Sequence, residues 1–525
     1  MTRARNGATE AEATQVEATP EAARGEATRR GRRELAGLQA EPALWQPPAG
    51  AFRTGQWLDS PTTIDVLDPE DGALVGIVAD VSPHEVTAAV ADLADELRHT
   101  HWPLWRRRET LARAADLLRE RGSVLARLIS RESSKTIREA RAEVARAAET
   151  LALTARSSGH LSGEEVAFAD SDRGAGRFGW FTREPVGVIA VISSFNDPLN
   201  LLVHKIGPAL LGGNTVAVKP SELTPLTALF LTETLLDAGV PAHRVSTLPG
   251  RSGTGRALVE EPAVRLVGFT GGPRTGEQIA RQAGAKLMLM ELGGNCPVIV
   301  CADADIDAAA TAVREGSFGV AGQNCISVQR VLVAAAVRDR LLDTLVKQVR
   351  ELTVGTKSAE TTDIGPLITE AEAQRVEAWV DRAVEAGATL HTGGRRDGGF
   401  YTPTVLGDVP HHTDVWNREI FGPVVCVNSY EDEADAVRAA NDTDYGLQAG
   451  VFTRDIDRAF DLAGQLAVGA VMINDSSDFR LDSMPFGGPK GSSLGREGVR
   501  DTLLAMTQPK VVAIRSQTPR SAQGS

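Results

Sequence analysis

Two residues whose types suit covalent chemistry stand in glycine-bearing contexts. Cys325 closes the run Gly322-Gln323-Asn324-Cys325, and Glu291 opens Glu291-Leu292-Gly293-Gly294-Asn295. A thiolate attacks electrophilic carbon readily. A carboxylate placed after an apolar run, here residues 287–290, has its pKa raised by desolvation, as a general base requires. Together they suggest attack by sulfur followed by hydrolysis. Four cysteines compete for the first role. Cys296 and Cys301 flank the apolar stretch 297–300 and Cys426 lies inside another, so all three are expected to be small buried hydrophobes. Cys325 alone stands in a polar segment before a strand. Residue type by itself still allows an ordinary cysteine there, and a structural, hydrogen-bonded carboxylate at Glu291. Asn196, in Ser194-Phe195-Asn196-Asp197-Pro198, follows a strand. Its amide can donate to a developing oxyanion or serve its own turn.

A second set of residues can hold a ligand bearing phosphates and ribose. Gly271 and Gly276, in Phe269-Thr270-Gly271-Gly272-Pro273-Arg274-Thr275-Gly276, mark a strand-to-helix junction. There a pyrophosphate can approach backbone N–H groups at a helix N-terminus. The spacing is not G-x-G-x-x-G, and a plain tight turn fits as well. Lys219 and Glu222, in Lys219-Pro220-Ser221-Glu222, come at the carboxyl end of a strand, where open α/β sheets bind ligands. Lys219 can donate to ribose hydroxyls. Glu222 can accept from a 2′-OH and would repel a 2′-phosphate. The alternative is a surface Lys and Glu in a polar turn. His411-His412 has no carboxylate at ligand spacing, so no metal is expected.

These side chains need elements to position them. Beyond Arg183 the chain alternates: strand 187–192, helix 199–211, strand 215–218, helix 225–238, strands 245–248 and 264–269. Thr224 is the expected N-cap of the helix opened by Pro225, and Gly239 its stop. Such alternation means a mostly parallel sheet covered on both faces. A second α/β block runs from about 297 to 495, with strands at 329–334, 424–428 and 470–473. Residues 103–155 read as long charged helices, with Leu111, Ala114, Leu117 and Leu118 at helical spacing. The arginines near Trp105 are either a basic patch or a solvated helix face. Residues 165–180 read as an extended hairpin and 510–514 as a late strand that could pair with it.

Composition narrows the function classes. The chain has 525 residues, 42% hydrophobic and 24% charged, enough for two or three domains. A net charge of −13 and a pI near 5.3 argue against a nucleic-acid or membrane-surface role. No apolar run approaches the ~18–20 residues of a membrane span. No secretory signal is evident. Few, scattered cysteines fit a reducing cytoplasm. Residues 1–45 and the last ten have the composition of disordered tails.

In order along the chain, the motifs resemble those of the aldehyde dehydrogenase superfamily. They are Ser194-Phe195-Asn196, Val218-Lys219-Pro220-Ser221-Glu222, Phe269-Thr270-Gly271, Glu291-Leu292-Gly293-Gly294-Asn295, Gly322-Gln323-Asn324-Cys325, Glu419-Ile420-Phe421-Gly422-Pro423 and Pro485-Phe486-Gly487-Gly488. They span nearly all of residues 50–515. The resemblance implies Cys325 as nucleophile, Glu291 as general base and Asn196 as oxyanion donor. It implies a dinucleotide site made by Lys219, Glu222, Phe269, Gly271 and Gly276, with Glu419 and Phe421 at the nicotinamide end. The cofactor expected is NAD, with NADP possible. Gly272 stands where many relatives have Ser. The implied fold is α/β: a modified Rossmann NAD-binding domain (46–163 and 184–296), a catalytic domain (297–495), and oligomerisation strands (164–183 and 505–516) that would build a homodimer or homotetramer.

Three further runs, Phe195-Asn196-Asp197-Pro198-Leu199-Asn200, His204-Lys205 and Phe479-Arg480-Leu481-Asp482-Ser483-Met484-Pro485-Phe486, resemble the lactaldehyde and phosphonoaldehyde dehydrogenase branch. That branch implies a small anionic aldehyde, phosphonoformaldehyde or phosphonoacetaldehyde, held by Arg146 and Arg480. Guanidinium suits a phosphonate because it donates bidentately. The alternative is an ion pair for Arg146 and a loop hydrogen bond for Arg480. Asn324 and Asp197 depart from the phosphonate pattern; Asp197 would repel an anion or orient a neighbouring cation. Other readings are a lactaldehyde-like or broad-specificity enzyme, an acyl-transferring relative, and a catalytically silent binding protein on the same fold.

Overall fold

The computed structural model describes residues 44–516; most of the expected N-terminal tail and residues 517–525 lie outside the described residues. Trp45, which the expected tail included, is anchored. Its indole N–H donates to Glu233 at 2.8 Å and its ring meets Phe230 edge-on at 5.0 Å.

Among the described residues the first large sheet has eight strands. From one edge they run Gln56–Leu58, Ala51–Arg53, Val245–Thr247, Thr215–Lys219, Val188–Ile192, Val264–Thr270, Leu287–Glu291 and Ser493–Leu494. The strands from Val245–Thr247 to Leu287–Glu291 are parallel. They are rich in β-branched residues, and Val188–Ile192 and Thr215–Lys219 are buried along their whole length. That is what a sheet covered on both faces requires. The helices Asn200–Leu211 and Pro225–Ala238 are almost wholly buried. Val86, Val90 and Leu93 of the helix Pro83–His99 share one apolar core with Ala190, Val267, Leu258 and Ile279. Chain order reverses at Val188–Ile192, with the next strands on one side and Val264–Thr270 on the other. Ligand crevices open at the carboxyl ends of strands at such a switch point.

The second sheet has seven strands: Thr389–Thr392, Thr404–Gly407, Val424–Tyr430, Val328–Ala334, Cys296–Val300, Gln448–Phe452 and Ala470–Ile473. Only Thr389–Thr392 is antiparallel to its neighbour. A third, antiparallel sheet joins Thr507–Arg515 to Arg177–Pro185, and the latter to Glu164–Glu165. Its long pair runs in unbroken register from Thr507 opposite Pro185 to Arg515 opposite Arg177. The late strand therefore meets the hairpin read from the sequence, over a longer stretch than expected.

Two local expectations change, and one open alternative is decided. Thr224 precedes the helix Pro225–Ala238, but its side chain caps nothing. The carboxylate of Glu132 instead takes the N–H groups of Leu226 and Thr227 at 2.9 and 2.8 Å, so a distant acid meets the positive end of that helix. Gly239 closes it at φ 103°, a conformation that glycine adopts without strain. The strand Ser493–Leu494 falls inside the stretch expected for the catalytic block, yet pairs with Leu287–Glu291 of the first sheet. The arginines near Trp105 form no unified patch. Arg106 and Arg108 are exposed, whereas Arg107 donates to Leu211 O at 2.6 Å.

Candidate active site

The carboxyl ends of neighbouring parallel strands deliver Asn196, Lys219, Gly271 and Glu291 to one crevice: the first lies just past Val188–Ile192, and the others end or follow Thr215–Lys219, Val264–Thr270 and Leu287–Glu291. Glu291 is 2% exposed, and neither carboxyl oxygen has a hydrogen-bond partner. The nearby Glu497 N–H is already given to Phe486 O at 2.8 Å. Burial first, and then the charge of Glu497, push the Glu291 carboxyl well above the ordinary range, while Lys205 and Arg480 pull against them. An unpartnered buried acid of this kind is destabilising unless a function retains it.

The chain leaving Glu291 packs against the backbone of Cys325. A Cβ on Gly294 would lie 2.0 Å from Cys325 O, so only glycine fits. Cys296, two residues further on, points its Sγ at the same carbonyl at 3.6 Å. The loop that ends at Cys325 is tightly held. Val320 and Ala321 take left-handed conformations, φ 52° and 53°, which cost energy for residues with side chains. Glu139 secures them: one oxygen closes the capping box of the helix Ile137–Arg156, and the other accepts Val320 N–H at 2.7 Å. Gln323 links Val320 O to Ile368 N–H. Asn324 Oδ1 accepts Ile326 N–H at 3.3 Å and lies 3.9 Å from Cys325 Sγ.

Cys325 is the partly exposed cysteine; Cys296, Cys301 and Cys426 are buried. Burial pushes the thiols of Cys296 and Cys426 up to about 12 and that of Cys301 to about 11. The Cys325 thiol is also held well above 9, by burial and by Glu419, with Arg480 opposing. In this state the sulfur carries its proton; Glu419 and, more weakly, Glu291 are the acids that act on it.

Asn196 is buried and its side chain makes no hydrogen bond to its own turn. The Phe195 ring meets Phe421 edge-on at 5.8 Å. Phe421 sits at φ 46°, and two residues before it Glu419 Oε1 accepts Gly294 N–H at 3.0 Å. The Phe195–Phe421 and Glu419–Gly294 contacts thus tie the segments that carry Asn196, Phe421, Glu419 and Gly294 together around Cys325. Burial raises Glu419 to about 7, against the Gly294 hydrogen bond and Arg375.

On the neighbouring side Lys219 is buried without a hydrogen bond or ion pair, and burial lowers its pKa. An ammonium kept there without an acceptor fits a ligand bearing hydroxyl groups. Glu222 is exposed and without a cation at contact distance. Gly272, at the start of the helix Pro273–Ala283, faces open space, as a close-approaching phosphate needs. Three expected cofactor residues stand further back. Phe269 is a core residue packed under Gly271, the Gly271 N–H is bonded to Glu291 O at 3.1 Å, and a Cβ on Gly276 would strike Leu292 at 2.5 Å. These shape the floor that Gly272 and the helix start rest on.

The two arginines expected to meet an anion are engaged with the protein. Arg480 donates to Glu497 at 2.8 Å and lies over the Phe486 ring at 3.7 Å, with its buried Nε unpartnered. Arg146 donates to Asp482 through Nε at 3.0 Å, and its Nη2 lies 2.9 Å from the same carboxylate; it remains one-third exposed. Asp197 is paired with Lys135, which also meets Glu143 at 3.2 Å, so it orients a cation. Sequence reading missed Lys205 with Glu497, a pair fully shielded from solvent at 2.5 Å, in which Lys205 also donates to Thr270 Oγ1 at 2.6 Å. It also missed Asp478, which accepts from Asn324 Nδ2. Neither interaction shows in a local motif, because both depend on partners far away in sequence.

Comparison with known proteins gives concordant results. The model of the aldehyde dehydrogenase family matches residues 57–512. Aspartate-semialdehyde dehydrogenase 1 of Pseudomonas canavaninivorans is 46% identical over 452 residues, 86% of this chain and 96% of that protein. A 3-sulfolactaldehyde dehydrogenase of Priestia megaterium is 40% identical over 466 residues, 89% of this chain and 98% of that protein. Among solved structures, the NADP-dependent glyceraldehyde-3-phosphate dehydrogenase of Bacillus halodurans, complexed with NADP, superposes with a TM-score of 0.87 at 37% identity, covering 89% of this chain and 99% of the other.

Proposed function

Since this chain belongs to the aldehyde dehydrogenase family, we propose that Cys325, Glu291 and Asn196 carry out the NAD(P)-dependent oxidation of a small anionic aldehyde to its acid. The observation that carries this reading is the packing of the Glu291–Gly294 segment against the backbone of Cys325, with the Glu291 carboxyl buried and unpartnered.

The roles follow from the surroundings of each group. Cys325 Sγ gives its proton to solvent water and attacks the aldehyde carbon, forming a thiohemiacetal anion. The Asn196 amide and the Cys325 N–H, neither of which has a protein acceptor, hold the oxyanion. A nicotinamide dinucleotide, when bound, would supply the acceptor for the hydride lost as the thiohemiacetal becomes a thioester. Lys219 and Glu222 would hold its adenosine ribose, the helix start at Gly272 would receive its pyrophosphate, and Glu419 with Phe421 would orient its nicotinamide end. Glu291, ionised, takes a proton from water as it attacks the thioester, and Cys325 leaves as the thiol. The unpartnered carboxyl suits this step because no hydrogen bond must be broken for it to accept a proton.

An anionic substrate is supported by the relatives, whose named aldehydes bear carboxylate or sulfonate groups. Arg146 is the better placed guanidinium to meet such a group, carboxylate, sulfonate or phosphonate, because it is part-exposed while Arg480 is spent on Glu497. The exposed Phe178, Trp180, Val512 and Ile514 share one face of the three-stranded sheet and favour a homo-oligomer built through that face. The free cysteines favour a reducing, cytoplasmic setting.

Initial rates with neutral, carboxylate, sulfonate and phosphonate aldehydes, each with NAD and with NADP, test this reading. The expected result is reduced dinucleotide and free acid in equal amounts, without coenzyme A, and fastest with an anionic aldehyde. A requirement for coenzyme A, or no dinucleotide reduction with any aldehyde, would overturn it.

A further inference from the structure

The site holds a carboxylate that the proposed reaction does not use. Asp478 accepts a hydrogen bond from Asn324 Nδ2, and Asn324 Oδ1 lies 3.9 Å from Cys325 Sγ. Asp478 is therefore one side chain away from the nucleophile. Its acidic neighbours are answered by the protein. Asp197 is paired with Lys135, while Asp482 receives Arg146 and, at 2.8 Å, His204. Asp478 has no ion pair. Arg146 is near enough to attract it but is bonded to Asp482. Burial, helped by the charge of Asp197, pushes the Asp478 carboxyl up to about 7. A neutral amide compensates a half-buried carboxylate only in part, since full compensation takes a cation.

We propose that Asp478 receives a positively charged amino group of the substrate, so that the aldehyde is a small amino-acid semialdehyde bearing both ammonium and carboxylate. This rests on the reading of Cys325 as nucleophile and Arg146 as the partner of the anion. Arg146 donates to Asp482 through Nε alone, so its terminal nitrogens, of which Nη2 is buried without a hydrogen-bond partner, are left for a further acceptor. Arg146 and Asp478 lie within electrostatic reach of each other, and Asp478 is one side chain from Cys325; such a pair complements a zwitterion. A purely anionic aldehyde would leave Asp478 unpaired and bring a second negative charge close to it. The relative that shares 46% identity is named for such a substrate, aspartate semialdehyde.

The test compares kcat/KM for aspartate semialdehyde and succinate semialdehyde, which differ only by the α-ammonium, in the wild-type protein and in Asp478→Asn. The variant keeps an acceptor for Asn324 and removes the charge. The expected result is a wild-type preference of at least tenfold for the amino substrate. In Asp478→Asn that preference falls at least tenfold, mostly through KM for the amino substrate. Equal wild-type rates for the two aldehydes, or an equal loss for both in the variant, would overturn the proposal; the latter would make Asp478 a support for Asn324. The wild-type comparison stands even if the variant fails to fold. Oxidation of other aldehydes but of neither semialdehyde also overturns it, whereas no oxidation of any aldehyde sinks the nucleophile reading itself.

Discussion

Replacing Lys205 with Met removes the charge nearest to Glu497 while preserving most of the side-chain length. Both side chains are fully shielded from solvent, and their charged atoms lie 2.5 Å apart. Breaking a buried pair by deleting one partner costs about 3–5 kcal/mol, because the other charge stays behind in a poorly polarisable site. Here Arg480 still holds the second oxygen of Glu497 at 2.8 Å, so the lower end, about 3 kcal/mol, is expected. The catalytic consequence has a definite sign. Burial and Glu497 raise the Glu291 carboxyl, and Lys205 opposes them. Without Lys205 the upward push grows. Since the base acts in its ionised form, which is lost as pH falls, the rising limb of the pH–rate profile moves to higher pH. Lys205→Met/Glu497→Gln removes the attraction and the repulsion together and should recover most of both losses, a non-additivity diagnostic of direct coupling. Urea unfolding followed by tryptophan fluorescence reads the stability, and kcat against pH reads the base. A Lys205→Met protein within about 1 kcal/mol of wild type with an unmoved limb would refute this reasoning, as would a double variant no better than the single one.

Other substitutions probe separate parts of the site. Asn196→Ala should lower kcat by about 10²–10³ with little change in KM, since an oxyanion donor acts in the transition state; a change in KM alone would assign Asn196 to ground-state binding. Glu222→Ala removes the acceptor for the 2′-OH and the repulsion of a 2′-phosphate, so the kcat/KM ratio of NADP to NAD should rise, and an unchanged ratio would remove Glu222 from the ribose site. Val512→Asp with Ile514→Asp puts charge on the exposed apolar face of the strand Thr507–Arg515, opposite Trp180 and Phe178. Light scattering should then show a smaller particle than wild type, and an unaltered mass would move the subunit contact elsewhere.

What could be read from the sequence was whatever depended on near neighbours. The alternating strands and helices from 187 onward follow from short apolar runs bounded by turn residues, and the positions of Asn196, Lys219 and Glu291 at strand ends follow from those runs. Cys325 was separable from the other cysteines because its neighbours are polar. The start of the helix Pro225–Ala238 was legible, but its true cap was not, since Glu132 arrives from 94 and 95 residues away. The same holds for Lys205 with Glu497, which are 292 residues apart. Arg480 looked like a free anion anchor because nothing nearby in sequence discloses that Glu497 folds against it. Gly276 looked like part of a phosphate turn, whereas its missing side chain accommodates Leu292. In each case local chemistry gave the residue's capability, and tertiary packing chose which capability is used.

The most direct measurement is acid quench followed by intact-protein and peptide mass spectrometry of Glu291→Gln mixed with aldehyde and NAD. If Cys325 is the nucleophile and Glu291 the base for the second half-reaction, one dinucleotide is reduced per active subunit in a burst. Turnover then slows by about 10²–10⁴, and the acyl group is found as a thioester on Cys325. An unmodified Cys325 after the burst, an acyl group on Cys296, Cys301 or Cys426, or turnover at the wild-type rate would contradict it.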